Sequence, residues 1–201
     1  MHLRTALITW LAVAAAFSGP AHADSRGLVL QSTSSDCGPA ALATLLTHYH
    51  RIPASEREIM RLTGVDKKTG TSLTALGEAA ATKGCAAQTF RMNFATLAEQ
   101  IASFGQPVIV RTLNPEPHFS LFLGSKGEVV YLSDPASGNI ALSKAAFLRR
   151  WLIAGSSEGY VFVVAGPETD HAAAVRAWVV KEIDRQQWRA RTWQPAVQFR
   201  R

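Results

Sequence analysis

Hydrophobic residues recur at helical spacing in the first half of the chain, between capping residues and the glycines that end each segment. The clearest start is at Ser55, because Glu58 three residues later completes a Ser-x-x-Glu capping box. Gly64 ends that segment, since glycine readily adopts the left-handed conformation that follows many helices. The sequence therefore predicts four helices before residue 106, at 40–46, 55–64, 71–84 and 93–105.

Short apolar runs dominate the second half of the chain and predict strands. Two of these runs, joined by the glycine-containing loop 124–127, predict a hairpin that starts at His118 and ends at Asp134. Antiparallel pairing makes these two residues neighbours. Ser143 is expected to cap a helix before the last strand. The predicted strands lie at 86–90, which is expected to be buried, and at 107–110, 119–123, 129–132 and 160–164.

The order of these elements, helices first and mainly strands afterwards, predicts an α+β fold. In such a fold a helical lobe packs on an antiparallel sheet. The chain has 201 residues, of which 47% are hydrophobic, so it can bury one substantial core. We expect this core to belong to a single domain over residues 24–166.

The first 23 residues have the pattern of a secretory signal peptide. Arg4 precedes an apolar run at 6–17, and Ala21-His22-Ala23 places small residues at the expected cleavage position. The apolar run is shorter than the ~20 residues that a membrane span requires. We therefore expect cleavage after Ala23 and a periplasmic or secreted protein with no stable membrane anchor.

The segment 167–201 is predicted to be a C-terminal helical extension that mixes basic residues with tryptophans. Val175, Trp178, Val179 and Ile183 can share one helical face. That face would pack on the domain or serve as a partner-binding arm. The formal charge is +6, or +5 once the signal peptide with its Arg4 is removed, which favours acidic partners or anionic surfaces without selecting one. No nucleic-acid motif is present, so no nucleic-acid partner is expected.

Cys37 stands at the start of the first predicted helix, in a setting that favours the thiolate. Asp36 is the predicted cap, and Pro39 suits a first helical turn, where a backbone N–H has no intrahelical partner to lose. The partial positive charge of the helix N-terminus stabilises the thiolate, which is the nucleophilic form of cysteine. Gly38 is expected to keep the approach to the sulfur open. Cys37 is therefore the predicted nucleophile.

A disulfide is the alternative to a nucleophilic Cys37. The chain has two cysteines, Cys37 and Cys85, and an oxidising compartment would allow them to pair. Cys85 precedes a predicted strand, where cysteine often acts as a small buried hydrophobic residue. The motif around Cys37 favours the nucleophile over the disulfide.

Three other residues complete a candidate catalytic site. His118 is the candidate base, and Asp134, its predicted neighbour in the hairpin, can orient the imidazole so that the other ring nitrogen faces Cys37. Gln31, six residues upstream of Cys37, can offer side-chain N–H donors to an oxyanion that forms beside the sulfur.

These candidates belong to a wider set of motifs. The set comprises Gln31, the run Asp36-Cys37-Gly38-Pro39-Ala40-Ala41-Leu42, the pair His118-Phe119, the run Asp134-Pro135-Ala136-Ser137-Gly138, and Phe147 before Trp151. It resembles the peptidase C39 family, papain-like cysteine peptidases best known as N-terminal domains of bacteriocin exporters, which cut leader peptides after a double glycine. The resemblance covers residues 28–165 and implies a papain-like fold. It makes Cys37 the nucleophile, His118 the base, Asp134 the orienting residue and Gln31 the oxyanion donor.

The resemblance implies an exported cysteine endopeptidase that acts on a secreted peptide or protein. Its relatives lead us to expect cleavage after small residues such as Gly-Gly and a role with the components of a secretion system. Two alternatives stay open: acyl transfer by the same residues, and a C39-like module that binds or chaperones cargo without cutting it. The chain has neither a Cys-x-x-Cys nor a His-Glu-x-x-His motif, so no metal or cofactor is expected.

Overall fold

The structure is a computed structural model that describes residues 27–166. The predicted signal peptide, 1–23, and the predicted C-terminal extension, 167–201, lie outside the described residues. Within the described range, no helix is long and apolar enough to cross a membrane.

Five α-helices form between residues 27 and 166, and four of them begin at the capping residues that the sequence predicts. They are α1 (Cys37–Thr44), α2 (Glu56–Thr63), α3 (Leu73–Thr82), α4 (Phe94–Phe104) and α5 (Lys144–Trp151). The side chains of Ser55, Ser72, Asn93 and Ser143 each accept a hydrogen bond from a first-turn amide, which satisfies a donor without an intrahelical partner. α1 continues directly into a π-helical turn, Leu45–Tyr49.

Six strands of the described chain form one antiparallel sheet. They are β1 (Ala86–Asn93), β2 (Val108–Thr112), β3 (His118–Lys126), β4 (Val129–Asp134), β5 (Gly138–Ser143) and β6 (Glu158–Ala165). Their order across the sheet is β1-β6-β2-β3-β4-β5. The predicted hairpin is therefore the β3–β4 pair, in which Leu121 lies opposite Ser133.

Three features of the sheet differ from the sequence prediction. β1 is mostly exposed, not buried, because it is an edge strand that pairs with β6 alone. β3 extends to Lys126, so the hairpin turns at Gly127, whose φ of +57° suits glycine. β5 was not predicted, because its short run begins with glycine and ends with serine and resembles a loop.

Helices cover both faces of the sheet. α1 is buried along its whole length and packs with α2 and α3 on the face to which Ile109 and Leu121 point. The adjacent positions, Val110 and Phe122, point to the opposite face, where α4 and α5 contribute residues such as Phe147. The predicted α+β fold with helices packed on an antiparallel sheet is confirmed, and α4 and α5 add a second helical layer.

Candidate active site

Cys37 is the first residue of α1, and only 7% of it is exposed. The amides of a first helical turn have no intrahelical acceptor and carry the positive end of the helix dipole. The Gly38 amide, in this turn, and the Phe119 amide, at the start of β3, both form hydrogen bonds with the Cys37 sulfur. The sulfur therefore lies where backbone donors from the helix and from the sheet converge.

Asp36 occupies the cap position of α1 but does not cap the helix with its side chain. Its carboxylate instead accepts hydrogen bonds from the backbone amide of Thr33 at 3.0 Å and from the Thr33 hydroxyl at 2.7 Å. The Asp36 amide in turn donates to the Thr33 carbonyl. The carboxylate thus closes the turn that precedes the nucleophile, and the predicted capping role of Asp36 is wrong.

Gly38 serves close packing, whereas the sequence suggested that it opens the approach to the sulfur. A Cβ atom at this position would lie 3.2 Å from the Phe119 ring, 3.3 Å from Thr71 and 3.4 Å from Leu76. These neighbours occupy the space that a side chain would need. Gly38 therefore lets β3 and the start of α3 come close to the helix that carries Cys37.

His118 and Asp134 meet across the β3–β4 hairpin, as the sequence predicts. The His118 Nε2 atom lies 2.8 Å from Asp134 Oδ2, and the exposed fractions of the two side chains are 26% and 9%. The imidazole also hydrogen-bonds Cys37. Since Nε2 is engaged by Asp134, Nδ1 is the ring nitrogen that faces the sulfur.

Asp134 has partners that the sequence analysis missed. Its Oδ2 accepts a second hydrogen bond from the Ser120 hydroxyl at 2.8 Å, and its Oδ1 accepts the amides of Ala136 and Ser137, both at 2.9 Å. The sequence does indicate Ser120 as a neighbour of the site, because it follows His118 by two residues on the same strand and so lies on the same face of the sheet. The turn amides carry no sequence signal, since every residue except proline has one.

Gln31 is anchored between the segment before α1 and the turn after β4. Its backbone amide donates to the Pro135 carbonyl at 3.0 Å, and its Nε2 donates to the Thr33 carbonyl at 2.7 Å. The side-chain Oε1 is buried and has no hydrogen-bond partner among the described residues. An amide nitrogen carries two hydrogens, so the bond to Thr33 leaves one hydrogen for another acceptor.

The electrostatics of the site favour an ion pair between Cys37 and His118. Burial raises the pKa of the Cys37 thiol, but hydrogen bonds from His118 and the Phe119 amide outweigh it and hold this pKa below its ordinary value. Burial lowers the pKa of His118, yet the hydrogen bonds and charges of Asp134 and Cys37 raise it to about 10. Both shifts favour the ionised pair, a thiolate beside an imidazolium, over the neutral thiol and imidazole.

Cys37 and Cys85 are both buried free thiols, so the structure contains no disulfide between them. Within residues 27–166, no cluster of three or more histidine, cysteine, aspartate and glutamate side chains could hold a metal ion.

Known proteins of similar sequence and structure include peptidases. The chain is 29% identical to the probable functional amyloid protease FapD of Pseudomonas aeruginosa over 71% of its own length, and it spans 62% of that relative. It is 34% identical to an uncharacterized protein of Methanothermobacter marburgensis, over 60% of this chain and 79% of that one.

The fold is similar to that of a solved peptidase domain. The peptidase domain of Streptococcus ComA, a bifunctional ABC transporter involved in a quorum-sensing pathway, superposes with a TM-score of 0.60 at 26% identity. The match covers 70% of this chain and 98% of that domain. The model of the Peptidase C39 family matches residues 25–157, which is about two thirds of the chain. This chain therefore belongs to the peptidase C39 family.

Proposed function

We propose that this chain is an exported cysteine endopeptidase that cleaves a peptide bond in a secreted peptide or protein. In this proposal Cys37 is the nucleophile, His118 the acid and base, Asp134 the residue that orients His118, and Gln31 an oxyanion donor. Membership of a peptidase family supports the type of enzyme. The roles of individual residues rest on the geometry of the site.

One observation carries the proposal: the continuous chain of hydrogen bonds from Cys37 through His118 to Asp134. Through these contacts Cys37, whose pKa is lowered, lies at a helix N-terminus beside an imidazole whose far nitrogen is held by a buried carboxylate. A purely structural cysteine needs none of these partners. A nucleophile needs a lowered pKa and a proton donor in contact, and Cys37 has both.

The first half of the reaction follows from this arrangement. The thiolate attacks the carbonyl carbon of the substrate, and the carbonyl oxygen becomes an oxyanion that the Cys37 amide and the free Gln31 Nε2 hydrogen can stabilise. The imidazolium then donates its Nδ1 proton to the leaving nitrogen. The C–N bond breaks, the amine product leaves, and the acyl group remains on Cys37 as a thioester.

The second half uses His118 in its neutral form. Nδ1 accepts a proton from a water molecule as the water oxygen attacks the thioester carbon. The C–S bond breaks, the carboxylic acid product leaves, and the thiolate–imidazolium pair is restored. Asp134 fixes the ring throughout both steps, because Ser120 and two turn amides hold its carboxylate in turn.

The substrate and the compartment are parts of the proposal that come from resemblance and from the N-terminal sequence. Family relatives support cleavage after small residues such as Gly-Gly. The basic start, the apolar run and Ala21-His22-Ala23 support export to the periplasm or medium. Similarity to the peptidase domain of a bifunctional ABC transporter supports a role with a secretion system, whose components would be partners.

Mass spectrometry of the mature protein with Gly-Gly peptides tests the enzyme directly. We expect two products that divide after the second glycine and, on rapid quenching, an acyl group on Cys37. Hydroxylamine should divert part of that acyl group to a hydroxamate, and a product formed mainly with added amines would show acyl transfer instead of hydrolysis. Intact peptides and an unmodified Cys37 across a broad set of sequences would overturn the enzyme and leave the binding module.

Export has its own test, which does not depend on activity. The full-length chain expressed in a bacterium should be found in the periplasm or medium without residues 1–23, as read from its N-terminal sequence. A full-length protein retained in the cytoplasm would contradict the proposed localisation and leave the chemistry untouched.

A further inference from the structure

A cavity of about 300 Å³ opens beside the candidate site, next to His118 and Asp134. Its lining includes His118, Ser120 and Asp134 but not Cys37. One wall is the segment 114–117, which leads directly into His118, and Ser34 from the nucleophile's loop contributes to the rim. The cavity therefore shares the imidazole with the reaction centre and extends beyond it.

The chemistry of the reaction determines which half of a bound substrate lies beside His118. The acyl half of the substrate is attached to the Cys37 sulfur, whereas the leaving nitrogen must reach the His118 Nδ1 atom to receive its proton. The chain that follows the leaving nitrogen continues away from Cys37, past the imidazole. Because the cavity is lined by His118 and not by Cys37, it fits the residues after the cleaved bond better than those attached to the sulfur.

The floor of the cavity is apolar. Leu132 and Phe147 are buried, and Ile140 and Leu142 of β5 are half-buried against the same core. A half-buried apolar surface inside a concavity gains free energy when a ligand covers it. The volume is at the lower end of the range for binding pockets and suits one large side chain, not an extended ligand.

The charged residues that line the cavity include both signs of charge. Arg150 of α5 and Glu116 of the wall both line it. A positive and a negative group at the same opening leave little net field to select a charged side chain. Selection must therefore come from the apolar floor.

We propose that this cavity is a specificity pocket for a large apolar side chain within the first two residues after the cleaved bond. The inference rests on the proposed peptidase function, and it adds a requirement on the leaving half of the substrate. The pocket would distinguish authentic cleavage sites from other pairs of small residues in secreted proteins.

A peptide series with wild-type protein tests the pocket first. The acyl half is kept constant and ends in Gly-Gly, while the first and second positions of the leaving half carry Ala, Leu, Phe, Lys or Glu in turn. We expect Leu or Phe at one of these positions to raise kcat/KM about tenfold over Ala, with Lys and Glu no better than Ala. Rates within twofold across the series, or a preference for a charged residue, would overturn the proposal.

A filled pocket provides the second test. Ile140→Trp places a large ring on the floor and should bring kcat/KM for the Leu or Phe peptide down to the value for the Ala peptide. The matched control is Leu62→Trp, at a position of α2 that is 37% exposed and does not line the cavity, and it should keep the full preference. A full preference in Ile140→Trp would count against the pocket. If this variant does not fold, the wild-type series decides.

Binding to a Cys37→Ala variant separates the pocket from the enzyme. The probe is a tetrapeptide amide with a free amine and Leu at the preferred position, compared with its Ala counterpart by NMR titration. We expect tighter binding of the Leu peptide, with shifts at residues 114–117 and 140–142. Such binding without cleavage by the wild type would refute the peptidase and keep the pocket. Cleavage without preference or binding would refute the pocket alone.

Discussion

Cys37 and Cys85 are two cysteines of nearly equal burial whose thiol pKa values are shifted in opposite directions. They are 7% and 4% exposed. Burial raises the pKa of Cys85 above its ordinary value, and the charge of Lys83 offsets this only in part. Burial also raises the pKa of Cys37, but His118 and backbone amides reverse the direction.

The comparison shows that burial by itself raises the pKa of a thiol and that hydrogen-bond donors directed at the sulfur lower it. Cys85 lies between α3 and β1, and its own amide donates to the Ala80 carbonyl. Cys37 begins a helix and touches the first two residues of β3, His118 and Phe119. The difference is therefore one of position in the fold, and variants at both positions should reveal it.

The largest expected difference is in catalysis. Cys37→Ala should lower kcat for a cleavable peptide by a factor on the order of 10⁴ or more, because no other group can form the thioester. Cys85→Ala should keep kcat within about threefold and should lower the free energy of unfolding by about 1 kcal/mol through lost packing. Steady-state kinetics and urea unfolding measure both. Equal loss of activity in the two variants would contradict the assignment of Cys37, and not Cys85, as the nucleophile.

The next largest effect is expected at Asp134. Asp134→Asn removes the negative charge beside His118 and should lower kcat about 10²-fold, less than loss of the nucleophile. The pKa of His118, raised to about 10 by Asp134 and Cys37, should fall in the variant. The alkaline limb of the pH–rate profile should therefore move to lower pH. An unchanged alkaline limb would show that Asp134 does not act through His118.

Thiol alkylation compares the two cysteines without any substrate. At pH 7, iodoacetamide should modify Cys37 about tenfold faster than Cys85, because the lowered pKa of Cys37 gives it a greater thiolate fraction, which outweighs the lower nucleophilicity of a more acidic thiol. The pH at which the rate is half of its maximum should lie below pH 9 for Cys37 and above pH 9 for Cys85. Peptide mapping by mass spectrometry gives both rates. Equal rates, or a Cys37–Cys85 crosslink in fresh protein, would contradict the assignment.

The smallest expected effect is at Ser120, whose hydroxyl donates a hydrogen bond to Asp134. Ser120→Ala removes one of four hydrogen bonds to the carboxylate and should lower kcat about threefold. The variant should also raise the pKa of Asp134, which His118, Ser120 and the Ala136 amide hold below its ordinary value against the effect of burial. Activity should therefore be lost at a higher pH on the acid side. A profile identical to wild type would limit Ser120 to packing.

The stability that Asp134 contributes has a defined dependence on pH. Because its folded-state pKa is lowered, the contribution is present above the ordinary carboxyl pKa of 3.8 and is lost as the pH falls through the folded value. His118 behaves in the opposite way. Its contribution is present below its ordinary pKa of 6.5 and is lost as the pH rises through about 10.

The parts of the molecule that the sequence predicted correctly depend on local signals. Capping serines, Asn93 and the glycines after helices determine helix ends through contacts a few residues apart. The hairpin places Asp134 beside His118 because the antiparallel ladder relates their positions through a short turn. Both kinds of feature require no knowledge of distant neighbours.

The parts that were missed or wrong depend on what lies across the fold. Whether β1 is buried depends on how many elements cover it. Its sequence does not indicate that it lies at the edge of the sheet. Asp36 has the composition of a cap, yet the nearby Thr33 competes successfully for its carboxylate. Gly38 was interpreted by its small size alone, whereas its role depends on Phe119, 81 positions away.

Because the site is assembled from α1 and β3, its chemistry depends on whether the protein is folded. The chain alone, before the helix docks on the sheet, offers Cys37 neither an imidazole nor the Phe119 amide, so its thiol keeps ordinary acidity. Reactivity appears only when the long-range contacts form. An unfolded or partly folded chain therefore carries a slow-reacting thiol of ordinary acidity, and the completed tertiary structure itself acts as the activating event.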